Sequence, residues 1–239
     1  AAAGVTLVIV HRLLPADPPL EPARPAEAAL PRPRSAILDA RVRPYMIYGF
    51  VTGSVQAAVA QSLGFFVIDL SGQPPAEAQQ YIGVAMMAGA AAMLLAQWGL
   101  IRMLRMRPPA LMRRGAALAT AGCLILAASN SFATLVTGFA LACLGFGFTR
   151  PGFTAAASLA VPLEEQGRIA GAVAAINGAC FIFGPAIGVS LYQLGQPVPY
   201  LLGALLMALM GAYALSRRMR GATFDILPPK PDAGDSPRP

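Results

Sequence analysis

The chain has 239 residues, of which 56% are hydrophobic and only 12% charged, with a mean hydropathy of +0.59; a typical soluble domain is about a quarter charged. The formal charge of +7 does not indicate a nucleic-acid surface, because the basic residues flank long apolar stretches and do not gather on one polar face. A water-soluble helical protein is excluded as well, since its helices would carry polar stripes at a period of about 3.6 residues and these stretches are apolar all round.

The N-terminal AAAGVTLVIV, residues 1–10, is apolar but about half the length of a membrane crossing. It lacks the basic region and small-residue cleavage site of a signal peptide, and reads as the truncated end of a preceding transmembrane helix. Residues 11–42 form a Pro/Arg-rich cytoplasmic linker whose composition cannot pack a core. Charge-free stretches then run from Pro44 to Ile68, Ala78 to Ile101, Gly115 to Thr149 and Ile169 to Ser216, each long enough for a helix to cross a bilayer. The last two hold internal turns, Ser129-Asn130-Ser131 and Gly195-Gln196-Pro197-Val198-Pro199, where a helical hairpin needs one. The expected fold is therefore an all-α membrane protein, with a transmembrane domain at 43–220 and spans at about 44–68, 80–101, 112–129, 133–160, 168–192 and 199–216. The closing DILPPKPDAGDSPRP belongs to a disordered cytoplasmic tail at 221–239.

All 18 basic residues fall at one end of this arrangement, in the linker, the loop between the second and third spans, the region of Arg150 and Arg168, and the tail. The opposite end carries only Asp69 and Glu77. Because the side that retains Lys and Arg is normally cytoplasmic, both ends of the six-helix domain are expected inside a cell (inner or plasma) membrane.

Polar residues inside apolar spans are the candidates for a substrate path. Tyr48, Thr52 and Gln56 lie on the first span and Asn177 in the middle of the fifth; an amide there should face other helices, where its hydrogen bonds can be met. Arg150 lies about 28 Å from the outer turn at Ser131, counting about 1.5 Å per residue. A charge at that depth usually faces a protein cavity. Three readings stay open: an anchor that snorkels to the headgroups, a gating or structural charge paired with Glu164 or Glu165, and a contact for an anionic substrate. Across these readings Arg150 is structural or gating and not catalytic.

Small residues recur at four-residue spacing in Gly49/Gly53, Gly167/Gly171 and Gly184/Gly188, a spacing that permits close helix approach. Pro185 follows Gly184 and removes a backbone hydrogen bond, which kinks a helix. No Asp, Glu, Lys or His lies in the interior of a span, the single His11 is in the linker, and Cys123, Cys143 and Cys180 lack CxxC spacing. These features argue against an enzyme and against a metal site or cofactor; the cysteines read as buried free thiols.

Three stretches carry a family resemblance. QWGLIRMLRMRPPALMRRG, residues 97–115, resembles the second copy of the short cytoplasmic loop motif of the major facilitator superfamily, although the acidic residue often found there is missing. GFGFTRPGFTAAASLAV, residues 145–161, resembles the tenth helix of those transporters. GRIAGAVAAINGACFIFGPAIGVSLYQ, residues 167–193, resembles the eleventh, and its Gly184-Pro185 is similar to the antiporter motif of the fifth. The chain thus resembles helices seven to twelve of a bacterial multidrug efflux member of that superfamily. The resemblance implies one half-bundle of a twelve-helix transporter that works by alternating access. It implies efflux of amphipathic or cationic organic compounds or drugs, with a proton as coupling ion and a missing N-terminal six-helix half as partner. An importer or facilitator of a sugar or metabolite, and a non-transporting receptor or assembly partner, are the alternatives.

Overall fold

The computed structural model describes residues 39–104 and 106–216. The expected end of a preceding span, most of the linker and the tail lie outside the described residues. Six apolar helices follow one another: α1 Arg43–Ser71, α2 Pro75–Leu94, α3 Pro108–Ala127, α4 Phe132–Leu159, α5 Gln166–Leu194 and α6 Val198–Tyr213. α2 runs on through a wider π-helical stretch, Leu95–Leu100, and a last turn, Ile101–Leu104. Five of these helical segments are long and apolar enough to cross a membrane, and α6 is shorter, at 16 residues. The chain is a multi-pass, all-α half-bundle, as its composition predicts.

Local chemistry explains where the helices start. Prolines occupy the first turn of α1, α2, α3 and α6, where a missing N–H would have had no intrahelical acceptor. At Pro75 this signal starts α2 five residues earlier than hydropathy alone suggests. The α3–α4 hairpin is closed by a capping box: the Ser131 hydroxyl accepts the Thr134 N–H at 3.3 Å, and the Thr134 hydroxyl accepts the Ser131 N–H at 3.3 Å. Beyond α1, Gly72 takes a left-handed φ of 60° and its N–H reaches the Ile68 carbonyl at 3.1 Å, a helix stop that glycine allows without strain.

Packing between helices runs through missing side chains. The closest pair is α3 and α4, and a Cβ on Gly145 would sit 2.6 Å from the Gly115 carbonyl oxygen, while one on Gly122 would sit 2.7 Å from that of Gly138. The backbones therefore touch over two helical turns on each side, with Ala119 and Ala142 between the glycines. The second seam joins α5 to α1. A Cβ on Gly184 would meet the Ala57 Cβ at 2.5 Å, and one on Gly188 the Ala58 carbonyl oxygen at 2.5 Å. Gly49 and Gly53 likewise make room for Phe153 and Cys180, whereas nothing lies within 4 Å of Gly167 or Gly171. Two of the three expected glycine pairs thus make helix contacts within this bundle, and the α3–α4 seam, spaced by seven residues and not four, adds a third.

At the arginine-rich end, the first turn before α1 is fastened to the start of α5 by charges. Arg41 donates to Asp39 at 2.9 Å and to Glu165 at 3.1 Å, and Arg168 donates to Asp39 at 3.2 Å and also to Glu165. The guanidinium of Arg41 holds the Asp39 carboxyl down at about 2, and Asp39 in turn raises the pKa of Arg41 further above its ordinary value. At the opposite end the Tyr192 hydroxyl donates to Asp69 at 2.6 Å, so α1 and α5 are joined at both ends.

Two outcomes follow for the purified full-length protein. Gly122→Val should destabilise it by about 1–3 kcal/mol through overpacking, read as a lower Tm, whereas Gly171→Ala should shift stability by less than about 1 kcal/mol. Asp39 is held below its unfolded value, so its contribution is present above pH ~4 and is lost between pH ~4 and ~2. The Tm difference between wild type and Asp39→Asn should accordingly be constant from neutral pH to about 5 and shrink below about 4.

Candidate functional site

A cleft of about 80 Å³ opens where α1, α4 and α5 converge. The α1 wall presents Gly49, Thr52, Gly53, Gln56 and Ala60, positions that recur at helical spacing on one face. α4 adds Arg150 and Phe153, three apart, and α5 adds Asn177, Cys180 and Phe181, three and four apart. Two glycines form the floor: a Cβ on Gly49 would lie 2.5 Å from the Phe153 ring and one on Gly53 2.8 Å from the Cys180 sulfur. Without side chains there, the three helices come close enough to bring their polar groups together.

The hydrogen bonding of these groups is uneven. The buried Thr52 hydroxyl donates to the Tyr48 carbonyl at 2.9 Å, within its own helix, and the Cys180 thiol donates to the Phe50 carbonyl at 3.3 Å. Gln56 and Asn177 are half-buried, and among the described residues neither amide has a hydrogen-bond partner. Arg150 lines the cleft and is exposed, although Thr149, Gly152 and Phe153 around it are buried. Among the described residues no carboxylate forms an ion pair with it. Pro151 and Pro185 cannot donate to the carbonyls one turn earlier, those of Gly147 and Phe181, and Phe181 lies on the cleft.

Of the residues singled out from sequence, Thr52, Gln56 and Asn177 are therefore brought together, with Arg150 beside them. Tyr48 is not. Its ring is fully buried and its hydroxyl donates to the Met112 carbonyl at 2.7 Å, so it fixes α1 against α3. The expected pairing of Arg150 with Glu164 or Glu165 is replaced by another: Glu165 binds Arg41 and Arg168, and Glu164 is exposed in the short helix Leu163–Glu165. Arg150 lies nine residues, about 14 Å, before the end of α4 at Leu159, beyond the reach of that turn. Gly184 and Gly188 lie on the seam with α1, with buried Gly184 against Ala57 on the cleft, and Pro185 follows Gly184 inside α5. Phe153 and Cys180 were not anticipated; the three-residue steps from Arg150 and Asn177 were the signal that would have found them.

A family model for the Major Facilitator Superfamily matches residues 1–185. No curated protein matches the chain. With more than half of its length matched and its apolar helices assembled as a half-bundle, the chain belongs to the Major Facilitator Superfamily, a family of membrane transporters.

Proposed function

We propose that this chain carries one wall of a substrate path in a secondary transporter, and that the wall is the cleft between α1, α4 and α5. The observation that carries the reading is the pair of amides, Gln56 and Asn177, which reach one cleft from two helices with their hydrogen bonds unmet by the described residues. Polar groups inside an apolar bundle are expensive unless a partner satisfies them, and a substrate is such a partner. The cleft alone, at about 80 Å³, is smaller than the roughly 300–1,000 Å³ of a site for a drug-sized ligand. A facing six-helix half of the same transporter supplies the other walls. The exposed apolar side chains of α2 and α5, such as Met87, Phe181 and Ile182, suit burial against that half or against lipid.

In this reading the two halves rock about the cleft and open it to each side in turn. Amphipathic organic compounds are moved outward across a cell membrane, with the arginine-rich end of the bundle cytoplasmic. A proton is the coupling ion, carried by an acidic residue outside these six spans, because their interiors hold no Asp, Glu or His.

The test is substrate transport by the full-length protein in proteoliposomes with an imposed proton gradient. Gln56→Ala and Asn177→Ala should each raise KM for a transported amphipathic dye about five- to tenfold, the loss of one hydrogen bond. Unchanged KM in both would remove the cleft from the substrate path. Tyr48→Phe should leave KM unchanged and destabilise the protein by about 1 kcal/mol, through loss of its bond to Met112.

A further inference from the structure

We infer that the cleft receives an anionic group, so that the substrate is an amphipathic organic anion, with Arg150 as its counter-charge. This rests on the reading of the cleft as a substrate wall and specifies what that wall selects. Arg150 is the only charged residue in α4, Phe132–Leu159. A guanidinium in such a helix persists where it faces a cavity or a partner, and Arg150 is exposed and lines the cleft.

Among the described residues, the groups that line the cleft with it are uncharged. From α1 they are Thr52 and Gln56, from α5 Asn177 and Cys180, and from its own helix Phe153. Among the described residues the other carboxylates lie elsewhere: Asp39 and Glu165 pair with Arg41 and Arg168, and Asp69 with Tyr192. Glu164 is exposed beyond the end of α4, and Glu77 is exposed in the first turn of α2, at the opposite end of the bundle. Among the described residues nothing in the cleft is therefore arranged to neutralise a cation, and a positively charged substrate would meet the Arg150 guanidinium. The Gln56 and Asn177 amides each offer N–H donors beside that charge. One forked cation and two amides suit a carboxylate or sulfonate, whose oxygens accept several charge-assisted hydrogen bonds at once. Phe153, Phe181 and Ala60 on the same walls fit the apolar part of such a molecule.

The experiment compares two xanthene dyes, fluorescein as the anion and rhodamine 123 as the cation, by fluorescence polarisation on the detergent-solubilised full-length protein. Wild type should bind fluorescein saturably and rhodamine 123 at least about tenfold more weakly. Arg150→Gln should weaken fluorescein binding about tenfold or more, while Arg150→Lys, which keeps the charge but loses the fork, should weaken it by less. The Arg150→Lys protein also separates loss of charge from misfolding. Rhodamine 123 binding as tight as that of fluorescein, or fluorescein binding unchanged in Arg150→Gln, would overturn the anion assignment. If rhodamine 123 binding in that case still weakens in Gln56→Ala, the cleft stands as a substrate wall and the anion assignment alone is lost. Saturable binding of neither dye overturns both. Displacement of fluorescein by phosphatidylglycerol, but not by a soluble aryl carboxylate, would assign the guanidinium to a lipid headgroup and also overturn the proposal.

Discussion

Backbone-to-backbone contact between glycine-bearing helix faces is the constraint from which the rest of this bundle follows. In lipid, apolar side chains gain nothing by leaving one another for another hydrocarbon surface, so helices associate through close packing and the few polar bonds between them. Gly115 and Gly122 on α3 against Gly138 and Gly145 on α4 bring two carbonyl-lined surfaces within contact. Gly184 and Gly188 do the same for α5 against α1. These two seams hold α4 to α3 and α5 to α1, Gly49 against Phe153 brings α1 to α4, and the cleft is the space left where α1, α4 and α5 meet.

Polar groups divide according to whether the bundle satisfies them. Tyr48 spends its hydroxyl on a carbonyl of a neighbouring helix, and Thr52 and Ser62 on carbonyls of their own, which suits side chains that are buried for good. Gln56, Asn177 and Arg150 keep their capacity at a surface that can be filled and emptied. At the arginine-rich end, charge has the opposite use: Asp39, Arg41, Glu165 and Arg168 satisfy one another. Two carboxylates and two guanidiniums thus act as a structural clasp in one place, and in another stands a guanidinium that no described carboxylate pairs.

The glycines show why some contacts could be read in advance and others not. A GxxxG spacing marks a face on which close approach is sterically allowed, and Gly49/Gly53 and Gly184/Gly188 use it. Gly167/Gly171 has the same spacing and meets nothing within 4 Å, because permission to approach does not supply a neighbour. The α3–α4 seam escaped notice because its glycines are seven apart, with alanines completing the stripe. Glu165 was expected near Arg150 since both sit toward the same end, but it binds Arg168, three residues on, and Arg41, more than 120 residues away in sequence.

Composition by itself determined the membrane class and the six apolar helices. It could do so because a backbone in hydrocarbon must satisfy its own hydrogen bonds, so a long apolar run becomes a helix whatever its neighbours. Only the tertiary structure decided which side of each helix faces inward. Helices that are apolar all round carry no polar stripe to set their rotation, and the rotation is what turns Tyr48 into a packing contact and places Gln56, Asn177 and Arg150 in one cleft.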